Sequence, residues 1–213
     1  MGAAAAAQRE RQATAFARAI DEGLRAGVDA ALICGDLFDS NAQPRRSVEA
    51  AAAELRRLTE RGVHVVIIPG THDVYDKRSI YRAFDLAAMA GLAPGSDLLT
   101  VLTPERPELL LPDLDLIIYG RVFATKRAPR SPLARFDVRA DDRAAWKVGM
   151  IHGSRTIPGR VEADEVIFTD AEVAASGLDY LALGHWHSYS TGRAGGTTWA
   201  YAGAPEPVAV DQD

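Results

Sequence analysis

The sequence predicts an α/β fold of parallel strands and flanking helices. Residues 30–34 and 63–68 are short, continuous apolar runs, as expected for parallel strands that are covered on both faces. The segment before each run has apolar residues at every third or fourth position, which is the period of a helix with one buried face. This alternation favours a layered sheet, or two sheets, flanked by helices.

The first two helices are indicated by their periodicity and by the residues that bound them. Gly27 predicts the end of the first helix. The second helix is expected from about Pro44 to Arg61, because proline is favoured in a first turn and a glycine follows. The expected buried residues are Phe16, Ile20 and Leu24 in the first helix and Val48, Ala52, Leu55 and Leu58 in the second.

The remaining apolar runs predict one more helix and a series of strands. The helix is expected over 79–90, and strands are expected over 98–102, 109–111, 114–119, 147–151 and 178–183, with a closing antiparallel pair at 189–191 and 198–201. A loop-rich basic stretch, 121–143, lies between the fifth and sixth strands of this order. Because no repeat, long linker or boundary is evident, residues 1–213 are interpreted as a single domain.

Composition narrows the classes of function. The 213 residues are 25% charged with a net charge of −5, so overall charge does not indicate nucleic-acid binding, although a local basic patch or a bound metal can contact phosphates. Cys34 is the single cysteine, which excludes an internal disulfide and is consistent with a cytoplasmic location. No apolar run is long enough to span a bilayer, so no membrane partner is expected.

The chemistry is concentrated in four glycine-containing motifs, each directly after a predicted strand. Open α/β sheets bind ligands at the carboxyl ends of their strands, so these loops are expected to converge. A carboxylate together with several imidazoles is the ligand set of a transition-metal hydrolase. The motifs are Gly35-Asp36-Leu37-Phe38-Asp39, Gly70-Thr71-His72-Asp73, Ile151-His152-Gly153-Ser154 and Gly184-His185-Trp186-His187.

In this order, the motifs resemble the signature of the calcineurin-like metallophosphoesterases over nearly the full chain. The motif around Asp36 and the stretch at 201–206 further resemble the nuclease branch, the SbcD type of DNA-repair exonuclease. The resemblance implies a metal-dependent phosphodiester hydrolase and favours a DNA exonuclease or endonuclease of DNA repair. It also implies DNA and a coiled-coil ATPase as partners, with a homodimer as one assembly to test.

The resemblance assigns metal ligands to individual residues. It implies two divalent ions, usually Mn²⁺, with Asp36 bridging both. His152 and His185 would bind one ion, and His187 would bind the other. Thr71 stands where the family has an asparagine ligand, and a neutral hydroxyl is a weaker ligand than an amide carbonyl. Two ions about 3.5–4 Å apart can stabilise both the attacking and the leaving oxygen of an in-line displacement.

Two neighbouring residues would act on the reaction instead of holding metal. The resemblance places His72 near the leaving oxygen, as a proton donor or a stabiliser of negative charge. It implies that Asp73 orients His72. Both are therefore candidate catalytic residues.

The chain departs from the family pattern at its start. No Asp-x-His precedes Asp36, so the family's first strand and two ligands of the ion shared with His187 are expected to be missing. The chain also ends soon after 201–206, where relatives continue. We therefore expect a chain truncated at both ends, with one incomplete metal site and impaired hydrolysis.

Other interpretations stay open on these residues. A phosphatase, a small-molecule phosphodiesterase, or an impaired scaffold that binds DNA or a partner protein would use the same fold. The basic stretch 121–143 is either a solvated loop or a phosphate-contacting surface. Asp39 is interpreted as a turn residue or as a residue that supports a metal ligand from behind, His64 as a surface or rim histidine, and Trp186 as a packing residue.

Overall fold

The computed structural model describes residues 3–161 and 163–206, so the ends of the predicted domain, 1–2 and 207–213, lie outside the described residues. The α/β fold is confirmed. The helices are α1 (Ala3–Ala26), α2 (Arg45–Thr59), α3 (Ile80–Ala83), α4 (Leu86–Met89) and α5 (Asp170–Ala175), with a 3₁₀ turn at Pro112–Leu114. The strands are β1 (Ala30–Cys34), β2 (His64–Ile68), β3 (Leu99–Val101), β4 (Glu108–Leu111), β5 (Leu116–Arg121), β6 (Trp146–His152), β7 (Ser154–Arg155), β8 (Ile167–Phe168), β9 (Tyr180–Gly184), β10 (Ser190–Ala194) and β11 (Thr197–Tyr201).

Three strands form a parallel sheet in the order β1-β2-β3. Cys34 at the end of β1 is in register with Ile68 at the end of β2. The loops that follow these strands therefore leave the sheet side by side, which brings the first two motifs together.

Six strands form a mixed sheet in the order β10-β11-β9-β6-β5-β4. Its parallel centre pairs β6 with β9, so that His152 is in register with Gly184. The predicted closing pair is the antiparallel hairpin of β10 and β11. The last two motifs therefore also emerge at a shared edge.

The two sheets pack face to face. Val66 and Ile68 of β2 belong to one buried cluster with Met150 of β6 and Ala182 of β9. Helices α1 and α2 cover the outer face of the three-stranded sheet, and the predicted buried residues of α2 are all buried. The outer face of the six-stranded sheet is covered by α5 and part of 121–143. This stacking sets all four motifs at one end of the molecule.

Two helical segments differ from the expectation. The helix predicted over 79–90 is two short helices, because Phe84 is extended at φ −133° and ψ 129° and the Asp85 side chain caps α4. Helix α5 was not predicted, although Thr169 and Glu172 form a capping box at its start. None of the helices in the described part of the chain is long and apolar enough to cross a membrane.

Candidate metal centre

Asp36 occupies a left-handed backbone conformation directly after β1, with φ 55°. Its Oδ1 accepts a hydrogen bond of 2.8 Å from the backbone N–H of His72. Gly70 makes this approach possible, because a Cβ placed on Gly70 would overlap the Asp36 carboxylate. The first and second motifs are therefore interlocked through their backbones.

Asp73 is the fully buried anchor of these two loops. It accepts hydrogen bonds from the backbone N–H groups of Gly70 at 2.6 Å, Asp36 at 3.1 Å and Phe38 at 3.3 Å. The Tyr81 hydroxyl donates a fourth bond, 2.5 Å long. Burial raises the pKa of Asp73, although these donors favour the carboxylate. Because Asp73 accepts from the Asp36 N–H, it fixes the backbone position of Asp36.

His152, at the end of β6, connects the two sheets. Its Nδ1 lies 2.8 Å from the carbonyl oxygen of Cys34 and therefore donates, and its Nε2 lies 3.2 Å from Asp36 Oδ2. Burial disfavours the charge on both side chains, but their hydrogen bond and mutual attraction outweigh it. The pKa of His152 is consequently raised, and the pKa of Asp36 is lowered.

His185 completes a continuous set of three candidate ligands. Its Nδ1 lies 3.3 Å from His152 Nε2, and the two rings are nearly perpendicular, at 77°. His185 has a strained φ of 98°, which is rare for a residue with a side chain. A Cβ on the preceding Gly184 would overlap the Cys34 carbonyl oxygen, so this close approach requires glycine.

The donor set fits a divalent transition metal in its chemistry. Ligands bound at about 2.0–2.1 Å lie roughly 2.9–3.4 Å apart around one ion. The separations of 3.2 Å and 3.3 Å on either side of His152 Nε2 fall in this range. Among the described residues, however, no group of three or more histidine, cysteine, aspartate or glutamate side chains is arranged so that it could hold a metal ion. Metal binding would therefore require these side chains to rearrange, and it would replace the proton between His152 Nε2 and Asp36 Oδ2.

His72 lies beside this set but is exposed. Its Nδ1 is 3.1 Å from the backbone carbonyl oxygen of Asp39, which fixes the proton on Nδ1. In this structure the Asp73 oxygens accept from backbone amides and from Tyr81, and the His72 imidazole contacts the Asp39 carbonyl, so the expected orientation of His72 by Asp73 stays a prediction. Asp39 is thus a turn residue that orients His72 through its backbone.

The remaining predicted residues occupy different environments. Thr71 is buried and lines a cleft with His152. His187 is exposed between β9 and β10, and its carbonyl accepts a 2.7 Å bond from the Ala204 N–H. His64, which was expected at the surface or at the rim of the sheet, is mostly buried beside the exposed Asp113. Its side chain is 11% exposed and its Nε2 lies 3.1 Å from Asp113, at the other end of β2 from the motifs.

Part of the basic stretch borders the same site. Arg121 and Lys126 line the cleft that contains Thr71 and His152. Arg121 Nε donates to the Pro132 carbonyl at 2.7 Å, and its guanidinium lies over the Phe136 ring. Burial lowers the pKa of Arg121, and the nearby positive charge of Arg130 adds to this effect. Two basic side chains of this stretch therefore line the cleft beside His152.

Sequence reasoning missed Asp164. Its Oδ2 lies 3.1 Å from His185 Nε2 and also accepts from the Ser154 hydroxyl. Asp164 lies in a loop before β8, away from any strand-end motif, so only the tertiary structure identifies it. Trp186 was expected to pack and does so, stacked on Tyr201 with ring centroids 4.6 Å apart.

The family model of calcineurin-like phosphoesterases matches residues 8–189. The chain is 27% identical over 203 residues to the DNA double-strand break repair protein Mre11 of Aeropyrum pernix, with 92% of this chain and 48% of that protein covered. It is 28% identical over 170 residues to the uncharacterized metallophosphoesterase YhaO of Bacillus subtilis, covering 79% of this chain and 39% of that protein. The chain thus spans less than half the length of these curated relatives.

A solved structure, that of TT1561 from Thermus thermophilus, shares the fold. It aligns with a TM-score of 0.57 at 14% identity and covers 90% of this chain and 84% of that one. This likeness supports the layered α/β architecture alone.

Proposed function

Because the chain belongs to the calcineurin-like phosphoesterase family, we propose that it hydrolyses phosphodiesters, with Asp36, His152 and His185 holding a divalent ion. The observation that carries the proposal is the unbroken series of contacts from Asp36 Oδ2 through His152 Nε2 to His185 Nδ1. Members of this family use divalent metals. A bound divalent ion polarises a phosphoryl oxygen and makes water acidic enough to supply hydroxide.

Further residues would complete the coordination of the ion. Thr71 and His187 are proposed as further ligands, with Asp36 shared between two ions, and Mn²⁺ is the proposed metal. Thr71 supports this assignment because it is buried in the cleft that His152 lines. The Asp73 anchor would keep Asp36 in place when its hydrogen bond to His152 is replaced.

His72 is proposed as the residue that protonates or stabilises the leaving oxygen. Since the Asp39 carbonyl accepts from Nδ1–H, the Nε2 atom is left to interact with substrate, and it would donate a proton to the leaving oxygen when the ring is protonated on both nitrogens. The ring is exposed beside Asp36, where a phosphodiester would enter. A group that donates a proton in the transition state typically contributes about 10²–10⁴-fold to the rate.

DNA is the proposed substrate. Arg121 and Lys126 line a small cleft beside His152, where their positive charge could contact a phosphate. Two relatives at 27% identity are named as DNA double-strand break repair proteins. A role as a nuclease of DNA repair, a cytoplasmic location and a coiled-coil ATPase partner are part of the same proposal.

The test compares substrates with the purified chain and Mn²⁺. We expect weak, metal-dependent cleavage of bis-p-nitrophenyl phosphate and of a DNA oligonucleotide, because one metal site is expected to be incomplete. Both activities should be lost in His185→Ala and retained in His64→Gln, which alters a histidine remote from the site. Cleavage of p-nitrophenyl phosphate but not of the diesters would favour a phosphatase. Salt-sensitive DNA binding without metal-dependent cleavage would favour a scaffold. Equal activity of the two variants would contradict the proposed centre.

A further inference from the structure

We propose that Asp164 is a positioning residue that fixes the tautomer and orientation of His185. The inference rests on the proposed metal centre, because the role given to Asp164 is to leave His185 Nδ1 available as a metal ligand. Asp164 Oδ2 lies 3.1 Å from His185 Nε2, on the opposite side of the ring from His152. Neither the sequence motifs nor the family resemblance assigns a role to this residue.

The direction of this hydrogen bond determines the state of the imidazole. Asp164 Oδ2 accepts from the Ser154 hydroxyl and Oδ1 accepts from the Glu165 backbone N–H, so both carboxylate oxygens face donors. A carboxylate oxygen that already accepts a hydrogen bond also accepts from the imidazole, so His185 Nε2 carries the proton in this contact. The Nδ1 lone pair is then free, and it lies 3.3 Å from His152 Nε2.

Asp164 is itself held by a directed series of donors. The indole Nε1 of Trp186 donates to Ser154 Oγ at 2.8 Å, and the Ser154 hydroxyl donates onward to Asp164 Oδ2. The backbone N–H of Glu165 holds the other carboxylate oxygen, Oδ1, at 2.7 Å. Ser154 is fully buried, and Trp186 is stacked on Tyr201, so the series starts from the packed core.

His185 needs such support because its backbone conformation is strained. A φ of 98° is a strained position, which persists only when surrounding contacts hold it. A carboxylate behind a ligand histidine sets the ring orientation and raises ligand basicity, and losing it typically weakens metal binding about 10–100-fold. We expect Asp164 to contribute in this range.

The experiment compares Asp164→Ala and Asp164→Asn with Glu165→Gln, which neutralises the adjacent carboxylate. ¹⁵N NMR of the metal-free proteins reports the tautomer of His185, and calorimetry reports Mn²⁺ affinity. We expect Asp164→Ala to lose the Nε2–H tautomer and to bind Mn²⁺ about 10–100-fold more weakly. Asp164→Asn, whose carbonyl can still accept, should keep the tautomer, and Glu165→Gln should match the wild type.

The two readouts separate this inference from the proposed function. An unchanged tautomer in Asp164→Ala, or its absence in the wild type, would overturn the inference even if hydrolysis occurs. Complete loss of Mn²⁺ binding in Asp164→Ala with the tautomer intact would make Asp164 a ligand, which also overturns it. If the wild type binds no metal, the proposed function fails, while the tautomer still tests the role of Asp164.

Discussion

The Nδ1 atom of His152 lies 2.8 Å from the carbonyl oxygen of Cys34, although 118 positions separate the two residues. This bond joins the last residue of β6 to the last residue of β1, and so joins the two sheets at the end where the motifs emerge. Because a carbonyl oxygen only accepts, the bond also leaves Nε2 of His152 directed to Asp36. The same hydrogen bond therefore joins the two sheets and orients the His152 ring toward Asp36.

Replacement of Gly184 by alanine should disrupt this junction. The added Cβ would overlap the Cys34 carbonyl oxygen and force β9 away from β1. We expect a loss of roughly 1–3 kcal/mol in the free energy of unfolding, as for other overpacked sites, together with weaker Mn²⁺ binding. Urea denaturation followed by circular dichroism measures the first effect. Gly196→Ala is the matched control, since a Cβ there meets no atom within 4 Å, and equal stabilities of the two variants would contradict the prediction.

Removal of the Tyr81 hydroxyl should weaken the Asp73 anchor. Tyr81 donates a 2.5 Å bond to a fully buried carboxylate, and hydrogen bonds to charged groups contribute about 1.5–3 kcal/mol. Tyr81→Phe should lower the free energy of unfolding by about this amount. Tyr189→Phe, at a side chain that is 70% exposed, should change it little. The idea fails if thermal or urea unfolding shows no difference between them.

Metal binding should release a proton from the pair of His152 and Asp36. The pKa of His152 is raised in the folded protein, so stabilisation by this pair is complete below the ordinary histidine pKa and is lost as pH rises through the raised value. A metal needs the neutral imidazole, so Mn²⁺ affinity should fall as pH is lowered through the pKa of His152. Calorimetry near pH 6.5, close to the ordinary histidine value of about 6.5, in two buffers of different ionisation enthalpy measures the release. Identical binding heats in both buffers would refute it, and His64→Gln should behave like the wild type.

His72→Ala should lower the maximal rate without removing the metal. The contacts of His72 are with Asp39 and, through its backbone, Asp36, so the side chain is not needed to hold the candidate ligands together. We expect a rate loss of about 10²–10⁴-fold with metal content preserved. His152→Ala provides the comparison, since it should lose both. Metal loss in His72→Ala would make His72 a ligand, and no change in rate would make it a loop residue.

The sequence predicted the positions of those site residues that directly follow or end a strand. Continuous apolar runs identify β1, β2, β6 and β9, and their registers bring Asp36, His152 and His185 together as the convergence of strand ends predicts. The position of Asp164 could not be predicted, because it depends on how a loop folds back onto Ser154.

The contact of His64 depends on tertiary structure, whereas the start of α5 carries a local signal in the sequence. His64 contacts Asp113, which is 49 positions away, and no local pattern encodes this contact. By contrast, the capping residues Thr169 and Glu172 are a local signal for the start of α5. Helix α5 was not predicted because its six residues are too few to show a clear helical period. Local signals thus defined the elements, whereas the partners of individual side chains required the fold.

Lys126 should contribute to DNA binding through a phosphate and not through base recognition. It lines the same cleft as Arg121 and His152, whereas Lys147 lies at the opposite end of β6 from His152 and serves as the matched control. Lys126→Ala should weaken binding to duplexes of different sequence by a similar factor. The dependence of log affinity on log salt concentration should become shallower by about 0.9 for each phosphate that the variant no longer neutralises. Fluorescence anisotropy at several salt concentrations measures both quantities. If Lys126→Ala and Lys147→Ala keep the wild-type slope, the basic stretch is a solvated loop, and the proposed DNA path beside His152 has to be abandoned.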